Sequence, residues 1–217
     1  MIELKDVSKT YETRSGAHTV LCRVNLKIYP GEKVGVLGRN GAGKSTLIRI
    51  LSGAEKPSFG TLVSSMRVSW PLAFGGAFQG GLTGMDNVRF VSRVYGVNPS
   101  LVAEYVKDFS QLGRYLNEPV KSYSTGMRAR LAFALSMAVD FDCYLIDEIV
   151  AVGDRRFHDK CHEELFVKRK EKSMVIVSHD SRYIREHCDR ACVLINGRLE
   201  SFLSVDEAYQ VFEREMT

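Results

Sequence analysis

The chain has 217 residues, of which 45% are apolar and 26% charged, with 30 basic against 26 acidic side chains for a formal net charge of +4. That is one domain's worth of ordinary globular composition, which excludes a disordered tail or a fibrous repeat. The basic excess is too small and too interspersed to call for nucleic acid as a partner, and no apolar run approaches the length of a membrane span.

In chain order, residues 20–28 place Val, Leu and Ile at alternating positions and predict a strand, closed by a turn at Pro30-Gly31-Glu32. Lys33-Val34-Gly35-Val36-Leu37 is a short apolar run, read as a buried strand that enters a tight loop. The loop is Gly38-Arg39-Asn40-Gly41-Ala42-Gly43-Lys44-Ser45, a full match to the P-loop spacing, and it opens a helix with apolar Leu47, Ile48, Ile50 and Leu51. Its glycines let backbone N–H groups turn towards phosphate oxygens, and the helix N-terminus adds its positive end. Lys44 is placed to reach the β and γ phosphates, and the Ser45 hydroxyl to join a Mg²⁺ shell.

Gly75, Gly76, Gly80, Gly81 and Gly84 then cluster, and the pattern turns helical to Leu116. A glycine-hinged helical insertion over residues 79–126 is expected, set into a core formed by residues 1–78 and 127–217. Residues 131–139 are a long apolar helix. Residues 143–146, 174–177 and 191–195 are apolar runs of the kind that parallel sheets bury on both faces. Strands alternating with helices in this way predict an α/β fold with a parallel sheet. The 143–146 run ends on Asp147-Glu148, where the first carboxylate can hold Mg²⁺ and the second can polarise an attacking water.

Five cysteines, Cys22, Cys143, Cys161, Cys188 and Cys192, form an odd set without a repeating spacing and read as free thiols. Together with an N-terminus that lacks a secretory pattern, they make the cytoplasm the expected compartment. Cys188, Cys192 and His187 lack a second ligand pair at zinc spacing and are read as structural. Lys168-Arg169-Lys170-Glu171-Lys172 is read as a solvated helix end.

Neither guanine-reading motif of the switch GTPases occurs. Instead, Ser124-Thr125-Gly126-Met127-Arg128 precedes the apolar helix, and at this point the chain resembles the ATP-binding cassette (ABC) family, whose Ser-Gly-Gly-Gln signature occupies this place. Tyr11 resembles that family's adenine-stacking aromatic, Gln79 its Q-loop glutamine, Asp154 its D-loop aspartate and His179 its switch histidine. Thr125, Met127 and Ile149 depart from the usual residues of the pattern.

The resemblance implies a RecA-like P-loop core with a mainly parallel sheet, an antiparallel β subdomain and the helical insertion. It also implies ATP with Mg²⁺ and a composite site between two copies joined head to tail. Tyr11, Gly38, Asn40, Gly41, Gly43, Lys44, Ser45 and Thr46 would hold the nucleotide from one side. Ser124, Thr125, Gly126 and Asp154 would meet it from the other. Ser45, Gln79 and Asp147 would hold the metal, and Glu148, His179, Lys44 and Gln79 would serve hydrolysis.

The run from Asp147 to Asp154 and the Ser-Thr-Gly-Met signature resemble the branch that exports polysaccharides. The segment Leu82-Thr83-Gly84-Met85-Asp86-Asn87 is most similar to capsular exporters of Gram-negative bacteria. That branch implies a homodimer at the cytoplasmic face of the inner membrane, seated on a polytopic permease, with periplasmic and outer-membrane export proteins beyond it. O-antigen, teichoic-acid or other exporters are the alternative, and a soluble cassette ATPase the more distant one.

Overall fold

The structure is a computed structural model that describes residues 1–72, 78–147, 154–178 and 180–216. The chain divides into two compact units: residues 1–71, 141–149 and 171–217 form the first, and residues 72–140 and 150–170 the second.

The first unit holds two sheets. Strands β1 (Ile2–Thr13), β2 (Gly16–Ile28) and β4 (Phe59–Ser64) form an antiparallel sheet in the order β2-β1-β4. The second sheet has the order β5-β6-β7-β3-β8-β9, with β3 (Lys33–Gly38), β5 (Val68–Pro71), β6 (Cys143–Asp147), β7 (Ser173–Val177), β8 (Arg190–Ile195) and β9 (Arg198–Phe202). Every neighbouring pair in it is parallel except β8 with β9. The predicted α/β fold with a mainly parallel sheet and an antiparallel subdomain is what the chain adopts.

Helix α1 (Lys44–Leu51) lies in the core between the sheets: Leu47, Ile48, Ile50 and Leu51 pack with Ile2, Leu4, Val24 and Ile28 of the antiparallel sheet and with Val34, Val36, Leu145, Val175 and Leu194 of the parallel one. Residues of opposite parity in β3 face the other way. A Cβ added to Gly35 would stand 2.5 Å from Ile184 Cγ2, so a glycine here lets α6 (Ser181–His187) close on the back of the sheet. Strand β3 is thus covered on both faces, which is why its sequence is a continuous apolar run rather than an alternation. Helix α7 (Val205–Met216) follows β9 and buries Ala208 and Phe212.

The second unit is helical among its described residues, with α2 (Gly84–Tyr95), α3 (Pro99–Ser110), α4 (Thr125–Ala138) and α5 (Arg155–His162). Each start carries a side-chain cap: Thr83 accepts from Asp86 N, Asn98 from Ser100 N, Ser124 from Met127 N and Asp154 from Phe157 N. Phe109 is the centre of its core, with ring centroids 5.7 Å from Phe133 and 5.5 Å from Phe157.

One expectation for this unit changes. Arg169 is not solvated with its neighbours: its guanidinium reaches buried Glu164 at 2.6 Å and the Met137 carbonyl at 2.7 Å, while Lys168 takes the other Glu164 oxygen at 2.8 Å. Burial alone would raise the Glu164 pKa, but these two cations outweigh it and hold the carboxyl below its usual range.

Candidate functional site

The site begins at the carboxyl end of β3. Gly41 and Gly43 take positive φ of 84° and 106°, the left-handed region that folds the loop back over its own strand. A Cβ on Gly43 would lie 3.0 Å from the Val20 carbonyl oxygen and from two side-chain atoms of β2, so close passage of β2 adds a second demand for glycine there. The Lys44 side chain is 9% exposed overall, and its ammonium donates to the carbonyls of Gly38 at 2.7 Å and Arg39 at 2.9 Å. Those bonds hold the cation under the loop and fix where its charge acts. Gly43 caps α1 without a side-chain bond, so the first N–H groups of the helix find no acceptor within it.

The loop, α1 and the end of β6 enclose a cavity of about 560 Å³ lined by Val20, Asn40, Gly41, Gly43, Lys44, Ser45, Thr46 and Asp147. Strands β3 and β6 run parallel with β7 between them, so the P-loop and Asp147 emerge at the same edge of the sheet. An ammonium and a helix N-terminus suit a polyphosphate; two hydroxyls and a carboxylate are hard oxygen donors that suit Mg²⁺. Among the described residues, this donor set fits a metal–triphosphate pair.

Tyr11 of β1 reaches the same region through its hydroxyl, which lies 3.4 Å from Thr46 Oγ1 and donates to Glu55 Oε2 at 2.9 Å. Arg49 of α1 joins both, its Nη2 donating to Tyr11 Oη and to Thr46 Oγ1 at 3.2 Å each. Glu55, Arg49 and the cavity contact from Val20 are not visible in any motif: their partners come from separate elements and no spacing announces them.

The second unit presents its own residues. Ser124 and Thr125 are exposed at the start of α4, and a Cβ on Gly126 would meet nothing within 4 Å, so this N-terminus stands open. Asp154 accepts from Phe157 N at 3.0 Å and pairs with Arg130 of α4 at 2.7 Å. Gln79 is exposed; its N–H donates to Asn87 Oδ1 at 3.1 Å and its carbonyl accepts from Leu82 N at 3.0 Å. The structure therefore gathers Tyr11, Gly38, Asn40, Gly41, Gly43, Lys44, Ser45, Thr46 and Asp147 in the first unit, and carries Gln79, Ser124, Thr125, Gly126 and Asp154 on the second. Glu148 and His179 lie outside the described residues.

The family model described as ABC transporter matches residues 21–151. Over 212 residues, covering 98% of both chains, the sequence is 58% identical to the ATP-binding protein BexA of Haemophilus influenzae. Over the same length and coverage it is 57% identical to the capsule polysaccharide export ATP-binding protein CtrD of Neisseria meningitidis serogroup B. Among solved structures, the post-hydrolysis dimer of the ATP-binding cassette MJ0796 bound to ADP and phosphate superimposes with a TM-score of 0.77 at 24% identity, covering 93% of this chain and 98% of that one.

Proposed function

Because the chain belongs to the ABC transporter family, we propose that it is the ATP-hydrolysing subunit of an exporter that moves capsular polysaccharide across the inner membrane. The observation that carries this reading is the cavity where the Lys44 ammonium, the start of α1 and Asp147 converge. An identity of 57% over 98% of both chains to a protein whose name states capsule polysaccharide export supports the cargo.

In this reading the loop from Gly38 to Gly43 and the N–H groups of Lys44, Ser45 and Thr46 cradle the phosphates, with Asn40 at the loop's outer turn. Lys44 neutralises charge on the β and γ phosphates. Ser45 and Asp147 would hold Mg²⁺, with Gln79 assigned to it by the family resemblance, and the ion would supply further charge neutralisation when bound. Tyr11 offers its ring to adenine. Glu148 polarises the attacking water, and His179 contacts the γ-phosphate.

Two copies close head to tail, so that Ser124, Thr125 and Gly126 of one copy donate from an open helix start to the triphosphate held by the other. Asp154 lies beside that seam. Hydrolysis splits off the γ-phosphate that both copies contact, and once phosphate leaves, the pair reopens. Movement is passed to a polytopic permease through the second unit, where Phe90 and Val94, one turn apart on α2, are 54% and 60% exposed and Leu82 just before the helix is 41% exposed, apolar side chains suited to a partner helix. Among the described residues no helix is long and apolar enough to cross a membrane; in this reading the chain sits as a peripheral subunit on the permease at the cytoplasmic face. The glycan then passes through the permease, with periplasmic and outer-membrane export proteins beyond it, and its recognition resides outside this chain.

The test is affinity purification from detergent-solubilised membranes of the native cell. A polytopic membrane protein should copurify, and the complex should hydrolyse ATP faster than the isolated chain. A chain recovered alone, turning over ATP at the same rate as before, would overturn the exporter reading.

A further inference from the structure

Glu55 lies beyond the C-terminal end of α1, outside every recognised motif, yet it is the hub of a network that ends at the phosphate cavity. Its Oε1 takes the Lys9 ammonium at 2.9 Å. Its Oε2 takes Arg49 Nε at 3.0 Å and the Tyr11 hydroxyl at 2.9 Å. The chain brings these groups together from β1, from α1 and from the turn after α1, where Glu55 N also bonds the Arg49 carbonyl at 3.1 Å.

Around Tyr11 the network is closed. The hydroxyl gives its proton to Glu55 and accepts from Arg49, and the Lys9 ammonium sits 5.2 Å from the ring centroid. A tyrosine fixed at both its hydroxyl and one ring face has lost most of its rotamer freedom before any ligand arrives. Ordering a ring on binding costs conformational entropy, so a ring ordered beforehand spares the ligand that loss. Thr46, which lines the cavity, is held to the same Arg49. The fixed ring therefore keeps a constant offset from the phosphate cradle.

We infer that Glu55 is a positioning residue for nucleotide: by anchoring the Tyr11 hydroxyl directly and through Arg49, it presets the ring as a platform for the base of a purine nucleoside triphosphate. The inference rests on the nucleotide reading of the cavity and adds the residue that sets its base end. Burial disfavours charge on Glu55, but the three donors outweigh it and bring its carboxyl to about 2, so it is a fixed anion at neutral pH.

The experiment compares Kd values of the full chain for ATP and for inorganic tripolyphosphate, both with Mg²⁺, in Glu55→Gln, Tyr11→Phe and the double variant. Glu55→Gln keeps the shape and removes the charge. Tyr11→Phe keeps the ring and removes the tether, and it provides the test by itself if the first variant misfolds. Each single change should weaken ATP about fivefold, the scale of one lost hydrogen bond, and leave tripolyphosphate within about twofold. The double variant should be no weaker than the worse single one, because Glu55→Gln weakens and Tyr11→Phe removes the same link. Unchanged ATP affinity, equal weakening of both ligands, or multiplying effects would overturn the role of Glu55. A wild-type chain that binds neither ligand would overturn the nucleotide reading itself.

Discussion

Arg130 and Asp154 join two helices of the second unit through one short ion pair: Arg130 Nη2 lies 2.7 Å from Asp154 Oδ2, and its guanidinium carbon is 4.5 Å from the Phe157 ring centroid. The other Asp154 oxygen caps α5 by accepting from Phe157 N. One carboxylate therefore ties the start of α5 to α4, the helix whose open end carries Ser124, Thr125 and Gly126. The cap bond is the main reason the Asp154 carboxyl sits below its usual range, with Arg130 adding to it. Asp154→Asn should keep the cap and lose the ion pair, whereas Asp154→Ala loses both. Urea unfolding should rank them wild type, then Asn, then Ala in falling midpoint; equal midpoints for Asn and Ala would count against the cap.

At the cavity, Lys44 is held by the carbonyls of Gly38 and Arg39, so its charge has one position. Lys44→Ala should lower ATP turnover at least about 100-fold, the cost of losing one preorganised electrostatic contact. Steady-state phosphate release measures it, and a variant retaining near-normal turnover would refute the P-loop assignment.

Hydrolysis and closure should separate in Glu148→Gln. The variant should bind ATP but turn it over slowly, and so accumulate as an ATP-dependent dimer. Gel filtration with light scattering at saturating ATP reads the mass directly; a monomer under those conditions would contradict a site shared by two copies.

The Glu55 network makes stability depend on pH in a defined window. Its carboxyl falls from 4.5 to about 2 on folding, so the folded state binds fewer protons than the unfolded one through that range. The contribution is fully present above about pH 4.5 and is lost as pH falls towards 2. Wild type should therefore lose more stability than Glu55→Gln between those values. Parallel loss in both, followed by urea midpoints against pH, would show that the acid limb has another source.

The core between the sheets should be sensitive to truncation. Leu145 on β6 is fully buried against α1 and its neighbours. Leu145→Ala should cost ~2–5 kcal/mol, the range for a large apolar side chain removed from a packed interior. Chemical denaturation gives the number; a loss below about 1 kcal/mol would mean the site collapses to fill the gap.

How much of this was legible in the sequence follows from the physics of each part. Strand β3, the P-loop and α1 announce themselves because an apolar run, a fixed glycine spacing and a helical period occur in direct succession. Strands β6, β7 and β8 were equally plain, since strands buried on both faces leave continuous apolar runs. Strand β1 gave no such signal by itself: Ile2, Glu3 and Leu4 are buried in succession, and register shifts between Leu4 and Val7 and again before Lys9 break the alternation. Buried Glu3 is tolerated there by Lys5 and Lys27, at 3.1 and 3.0 Å.

Pairings across the chain were the least legible. Arg169 reads as one of a solvated basic run and instead neutralises Glu164, while no motif in the sequence marks Glu55. Glu164 is a near neighbour in sequence, but the Met137 carbonyl that also holds the Arg169 guanidinium, and the Lys9 and Tyr11 groups that reach Glu55 from β1, are brought in by tertiary folding and not by a local period. The P-loop side of the site could be read residue by residue for the same reason in reverse: its chemistry is built from one contiguous loop.

The central claim is that ATP hydrolysis at this cavity drives export of a capsular glycan. Its most direct test is to replace Lys44 by Ala in the native cell and fractionate long-chain carbohydrate between cytoplasm and surface. Polysaccharide stranded inside a cell with a bare surface is the predicted result. Unchanged surface glycan, with the variant expressed at the normal level and inactive as an ATPase, would contradict it.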